Sequence, residues 1–104
     1  MPRLPSISLV FQKRLKEARE RAGMSQKDLG INSGLDQFVA STRINRYELG
    51  VHEPDLATIE RMAVALGVPV AYLFARDDRM ARMLLAFDRL SASQKDDVLR
   101  DIES

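Results

Sequence analysis

A chain of 104 residues, 45% of them hydrophobic, has room for one core and an appended element but not for a second independent domain. It has no cysteine, which excludes a disulfide framework, a thiolate nucleophile and a cysteine-based zinc site, and makes the reducing cytoplasm the expected compartment. The net charge of +1 hides a division at Gly50: residues 1–50 carry nine Lys/Arg and five Asp/Glu, residues 51–104 seven and ten, so only the first half suits a polyanion.

The longest apolar runs, such as Met83 to Phe87, fall far short of the ~20 residues a membrane span needs, and the first residues lack the apolar stretch of a secretory signal. A soluble chain without membrane contact is expected. Residues 1–8, with Pro2, Arg3 and Pro5 and no periodicity, read as a flexible arm. From Leu9 onward Phe11, Leu15, Ala18 and Ala22 recur at helical spacing opposite Lys13, Arg14, Lys16, Glu17, Glu20 and Arg21, which predicts a first helix stopped by Gly23.

Ser25 is a good N-cap and Asp28 completes a capping box, so a second helix is expected over residues 26–32, with Leu29 inward and Gly30 allowing close approach of a neighbour. After the turn at Ser33 and Gly34, Asp36 is placed to cap a third helix over residues 37–49. There Ile44 and Tyr47 share an inward face, while Ser41, Thr42, Asn45 and Arg46 spread over the outside and Gly50 closes the helix. Hydroxyl, amide and guanidinium groups on one face suit the major groove: Arg pairs with guanine edges, Asn with adenine, Ser and Thr with base edges or phosphates.

Past the connector at residues 51–54, Asp55 caps a fourth helix with Leu56, Ile59, Ala63 and Leu66 on one stripe, widened by Met62. Gly67 stops it, and Pro69 opens a short fifth helix that buries Tyr72, Leu73 and Phe74. In the tail, Asp77 or Asp78 caps a run in which Met80, Met83, Leu84, Phe87 and Leu90 recur at helical spacing, and Ser93 caps a last helix carrying Val98, Leu99 and Ile102. These apolar groups outnumber what two terminal helices need for docking, so they predict either an oligomer contact or a longer, folded-back core. The fold class is all-α: a five-helix bundle with one or two C-terminal helices, divided into the arm (1–8), the bundle (9–75) and a C-terminal extension (76–104) that is the expected dimerisation element.

The chain resembles the lambda-repressor-like helix-turn-helix family of bacterial and phage transcriptional regulators. The resemblance is carried by Arg14-Leu15-Lys16 and Arg19, by Met24-Ser25-Gln26-Lys27-Asp28-Leu29, and by Gly34. It continues through Ile44-Asn45-Arg46-Tyr47-Glu48-x-Gly50, Pro54, and the run from Ile59 through Met62, Ala63, Ala65-Leu66-Gly67-Val68 to Leu73, about residues 11 to 74 in all. It implies that the second helix lies across the DNA backbone and the third enters the major groove, in a two-fold dimer reading half-sites about one helical turn apart.

Carried over position by position, the resemblance makes Ser41, Thr42 and Arg46 base-facing, and Ser25, Gln26, Lys27, Arg43, Asn45 and His52 phosphate contacts. Arg19 and Glu48 become a structural pair. The resemblance implies a homodimeric regulator, expected to be a repressor; the candidate dimer residues come from the apolar spacing of the tail beyond it: Met80, Met83, Leu84, Phe87 and Leu90. One departure stands out: the interval from Asp36 to Ile44 is eight residues where most members have four. If the insertion lengthens the third helix, Gln37 and Phe38 join the groove candidates; if it bulges the turn, Ser41 becomes the N-cap.

An enzyme would need a nucleophile with a base, a metal cluster or a phosphate-cradling glycine loop, and the chain has one His, no Walker pattern and isolated glycines. The doublets Asp77-Asp78 and Asp96-Asp97 lie where helix starts favour negative charge. No catalysis, cofactor or metal is expected. The rival reading keeps the fold and changes the partner: an antitoxin-like or adaptor protein whose C-terminal apolar helices bind a heterologous protein.

Overall fold

The first helix begins earlier than its apolar spacing suggests. In the computed structural model, which describes residues 4–104, Ser6 is extended and its hydroxyl accepts the Leu9 amide at 3.2 Å, so α1 runs Ile7–Arg21. The arm expected over residues 1–8 therefore loses its last two residues to this helix, and Arg3 lies outside the described residues. Helix α2 is Gln26–Asn32, opened by the reciprocal box in which Ser25 Oγ accepts the Asp28 amide at 2.9 Å and Asp28 accepts the Ser25 amide at 3.2 Å.

The insertion lengthens the turn. Asp36 Oδ1 accepts the Phe38 amide at 2.8 Å and its carbonyl accepts the Val39 amide at 3.1 Å, so residues 36–39 form a hydrogen-bonded turn and α3 is Ala40–Leu49. Asp36 caps no helix over 37–49, and neither does Ser41: Val39 holds the cap position without a side-chain hydrogen bond. The reason lies in packing. Ala40 is fully buried against Gly30, where an added Cβ would meet the Ala40 Cβ at 2.6 Å, whereas Phe38 and Val39 are exposed, so a further helical turn ahead of Ala40 would bury nothing.

Asp55 caps α4 (Leu56–Leu66), and Val70–Phe74 follows as a 3-10 helix where a short fifth helix was expected. Leu56 points to solvent; the inward stripe of α4 is Ile59, Met62, Ala63 and Leu66. These side chains meet Phe11, Leu15, Leu29, Ile44, Tyr47, Tyr72 and Leu73 in one core, each large apolar side chain contributing roughly 1.5–3 kcal/mol by leaving water. Phe74 is half-buried and stacks on Phe11 at 5.6 Å between ring centres.

Asp77 caps α5 (Asp78–Asp88), which docks through Ala81, Leu84 and Leu85. Ser91 caps α6 (Ala92–Glu103) in place of the expected Ser93, because Gln94 completes a box with it: Ser91 Oγ accepts the Gln94 amide at 3.2 Å and Gln94 accepts the Ser91 amide at 2.9 Å. No residue of α6 is buried.

The join between bundle and tail is Arg14. The sequence pattern assigns it to the solvent face of α1, yet it is only 4% exposed. Its guanidinium donates to the Ala75 and Arg76 carbonyls at 2.8 and 3.3 Å and to Asp78 and Glu17 at 3.0 and 3.1 Å. Burial works against its charge, but the bonds from Asp78 and Glu17 outweigh it and raise the Arg14 pKa, while Arg14 pulls Asp78 below the usual carboxylate range.

Candidate nucleic-acid interface

Because Ala40, Ile44 and Tyr47 face the core, the helical repeat turns Thr42, Asn45, Arg46 and Leu49 to the opposite side. Ser41, Thr42, Arg43, Asn45 and Arg46 are all exposed. Leu49, 65% exposed, completes the outward stripe; sequence reasoning passed it over although it lies three residues beyond Arg46. Gln37 is exposed on the turn that leads into α3, and Ser25, Lys27 and His52 are exposed as well. Arg43, Arg46, Tyr47, His52 and Glu53 line one groove on the flank of α3, so two guanidinium groups, an imidazole and a carboxylate border it. Glu53 also accepts the Ser8 hydroxyl at 2.7 Å.

The other flank is fixed by hydrogen bonds. Gln26 Nε2 donates to Asn45 Oδ1 and to Glu48 Oε1, each at 3.1 Å, which ties the start of α2 to the face of α3. Beneath them Arg19 donates to both Glu48 oxygens, Nε to Oε2 at 2.6 Å and Nη2 to Oε1 at 3.2 Å, and to the Met24 carbonyl at 3.0 Å. The Glu48 side chain is 4% exposed. Glu48 raises the Arg19 pKa above its ordinary value, and the paired carboxylate is withdrawn from the outer surface. Ser25 Oγ is engaged with the Asp28 amide in the capping box, and hydrogen bonds from Ser25 hold Asp28 below the usual carboxylate range.

In α5 and just after it, Met80 and Met83 are exposed while Leu84, Phe87 and Leu90 are half-buried, Leu84 against the core. Lys95 lies over the Phe87 ring at 5.6 Å. Sequence reasoning gave Arg14 no part in holding this segment. The available signal was a charged residue three after Phe11 and one before Leu15, at the edge of an apolar stripe.

Two short helices at a close crossing, the second presenting a polar and cationic face, define a helix-turn-helix unit within an all-α fold. The chain belongs to the helix-turn-helix family of the Cro/C1 type: the sequence model of that family matches residues 15–73, more than half of its length. It is similar to the HTH-type transcriptional regulator ImmR of Bacillus subtilis (strain 168), with 30% identity over 66 residues, 64% of this chain and 49% of that one. The chain thus spans about half the length of this curated relative. Among solved structures it is similar to that of the transcriptional regulator BswR, with 44% identity, a TM-score of 0.83, and coverage of 88% of this chain and 91% of the other. Among the described residues no helix is long and apolar enough to cross a membrane.

Proposed function

We propose that this chain is a transcriptional regulator that binds double-stranded DNA in a sequence-specific manner as a homodimer, laying α3 in the major groove and repressing by promoter occupancy. The observation that carries the reading is the division of α3. Ala40, Ile44 and Tyr47 anchor it in the core while Ser41, Thr42, Asn45 and Arg46 are exposed on the surface. In this reading Thr42, Arg46 and Ser41 meet base edges from α3 and Gln37 from the lengthened turn ahead of it rather than from a longer helix, and Ser25, Gln26, Lys27, Arg43, Asn45 and His52 meet phosphates and sugars. The link from Gln26 to Asn45 sets the distance between the residue on the backbone and the residues in the groove. That ImmR and BswR are transcriptional regulators supports the same role here.

The dimer reading rests on the tail. A 12-residue helix is marginal in isolation, and α6 has no fully buried residue, Lys95 and Val98 being half-buried while Leu99 and Ile102 remain 42% and 64% exposed. Like Met80 and Met83, they are exposed apolar side chains, available to a second copy. Selection of bound sequences from randomised duplex at a fixed salt concentration tests the whole reading, paired with sedimentation of the purified chain. A single enriched motif with two-fold symmetry and a particle of about twice 11.7 kDa are expected. No enriched sequence refutes the DNA reading; a monomer at tens of micromolar refutes the homodimer and turns the tail towards a heterologous protein partner.

A further inference from the structure

The turn that precedes α3 carries the most exposed large apolar side chain among the described residues: Phe38, 86% exposed. It is not a loose tip. The Phe38 amide is held by Asp36 Oδ1 at 2.8 Å, the Val39 amide by the Asp36 carbonyl at 3.1 Å, and the Val39 carbonyl accepts the Arg43 amide at 2.9 Å, so the backbone on both sides of the ring is bonded. An apolar residue just ahead of a helix cap usually packs on the fourth helical residue. Here that residue is Arg43, exposed, and the ring finds no apolar partner in it. Exposing a phenyl ring on a fixed turn forgoes the gain from burying it, which a local packing role does not explain.

The ring's place in the chain supplies an occupant. Recognition helices present their N-terminal end to base edges, and phenyl rings on that path meet the 5-methyl group of thymine, the one apolar feature of the major groove. We infer that Phe38 is a specificity-determining residue that reads a thymine methyl at the edge of each half-site, outside the base pairs met by Thr42 and Arg46. The four-residue insertion is then the device that widens the recognised sequence: the longer turn adds an apolar reading point ahead of α3 and leaves the register of the helix unchanged. This inference rests on the DNA reading above.

The test uses the duplex enriched by the full-length chain, with its thymines replaced one at a time by deoxyuracil, which removes only the methyl group. For the wild-type chain, one replacement in a half-site is expected to weaken binding about fourfold, the value of one buried methyl-sized group. For Phe38→Ala, which removes an exposed ring and leaves the core intact, the same replacement is expected to change binding by less than about 1.5-fold, because the methyl has lost its partner. An enriched site without thymine, or equal sensitivity of wild type and variant at every thymine, overturns the assignment of Phe38 and leaves the DNA reading standing. Failure to enrich any duplex sinks the DNA reading, and this one with it.

Discussion

The Arg19–Glu48 fork can be taken apart by a double-mutant cycle. At an effective dielectric of about 20, unit charges ~3 Å apart attract by about 5 kcal/mol, most of it consumed by desolvating both groups. The net worth of the pair is therefore small, and the loss of one partner large. Arg19→Met leaves the Glu48 carboxylate, 4% exposed, with only the Gln26 amide at 3.1 Å, and is expected to cost about 3–4 kcal/mol. Glu48→Leu leaves the Arg19 guanidinium, its side chain 13% exposed, with the Met24 carbonyl at 3.0 Å as its remaining partner among these bonds, and is expected to cost about 3 kcal/mol. The double variant Arg19→Met, Glu48→Leu removes both charges and refills the volume; it should lie within about 1 kcal/mol of wild type. The assay is urea unfolding followed by circular dichroism at one fixed protein concentration, since the proposed dimerisation would add to apparent stability. A double variant as unstable as the sum of its singles, or an Arg19→Met loss under about 1 kcal/mol, refutes the claim that this fork is a buried, mutually dependent pair.

Other outcomes follow from the same geometry. Arg46→Ala is expected to relax preference at one base pair at a cost of about 1–3 kcal/mol on the enriched site, whereas Lys27→Ala and Arg43→Ala should weaken all duplexes alike and each lower the salt slope by about one, as read by titrations at several salt concentrations. Gly30→Ala drives a methyl group to 2.6 Å from the Ala40 Cβ and should destabilise by about 1–3 kcal/mol in thermal or urea unfolding, with α2 and α3 forced apart. Asp28, Asp55 and Asp78 are all held below their ordinary values, by Ser25, Thr58 and Arg14 respectively. The unfolded chain therefore binds these protons first as the pH falls. Their contribution is complete above about pH 5 and disappears as pH falls through about 4 and below, so urea midpoints should be flat from pH 5 to 7 and drop beneath; a drop that starts above pH 5 would contradict the assignment.

Where backbone chemistry decides, the sequence is enough to find the fold. Ser25 with Asp28, Asp55, Asp77 and the left-handed Gly50 and Gly67 mark helix ends that the structure has where local rules put them. The failures fall where a distant contact decides. Asp36 satisfies the local rule for a cap, but Ala40 seats on Gly30 and sets the start of α3, so the carboxylate serves a turn instead. Arg14 looks solvent-facing by charge, yet the carbonyls of Ala75 and Arg76, sixty residues on, need a donor, and its planar fork supplies one. Leu56 fits the apolar repeat of α4 and is nonetheless exposed, because periodicity says which residues share a face and not how far along the helix the core extends.

The same division governs the proposed interface. An outward side chain costs nothing to the fold, so the positions that would read bases are those on which packing places no demand, and their types are free to follow the ligand. Thr42 and Arg46 are of this kind, as are Leu49 and Phe38, where two large apolar side chains have been left in water on the cationic side of the molecule. Gln26 and Glu48 are different: they touch both the reading face and its support, through Asn45 on one side and Arg19 on the other. Under the proposed function, a change at Thr42 or Arg46 is therefore expected to change preference with stability intact, and a change at Glu48 to move stability and binding together.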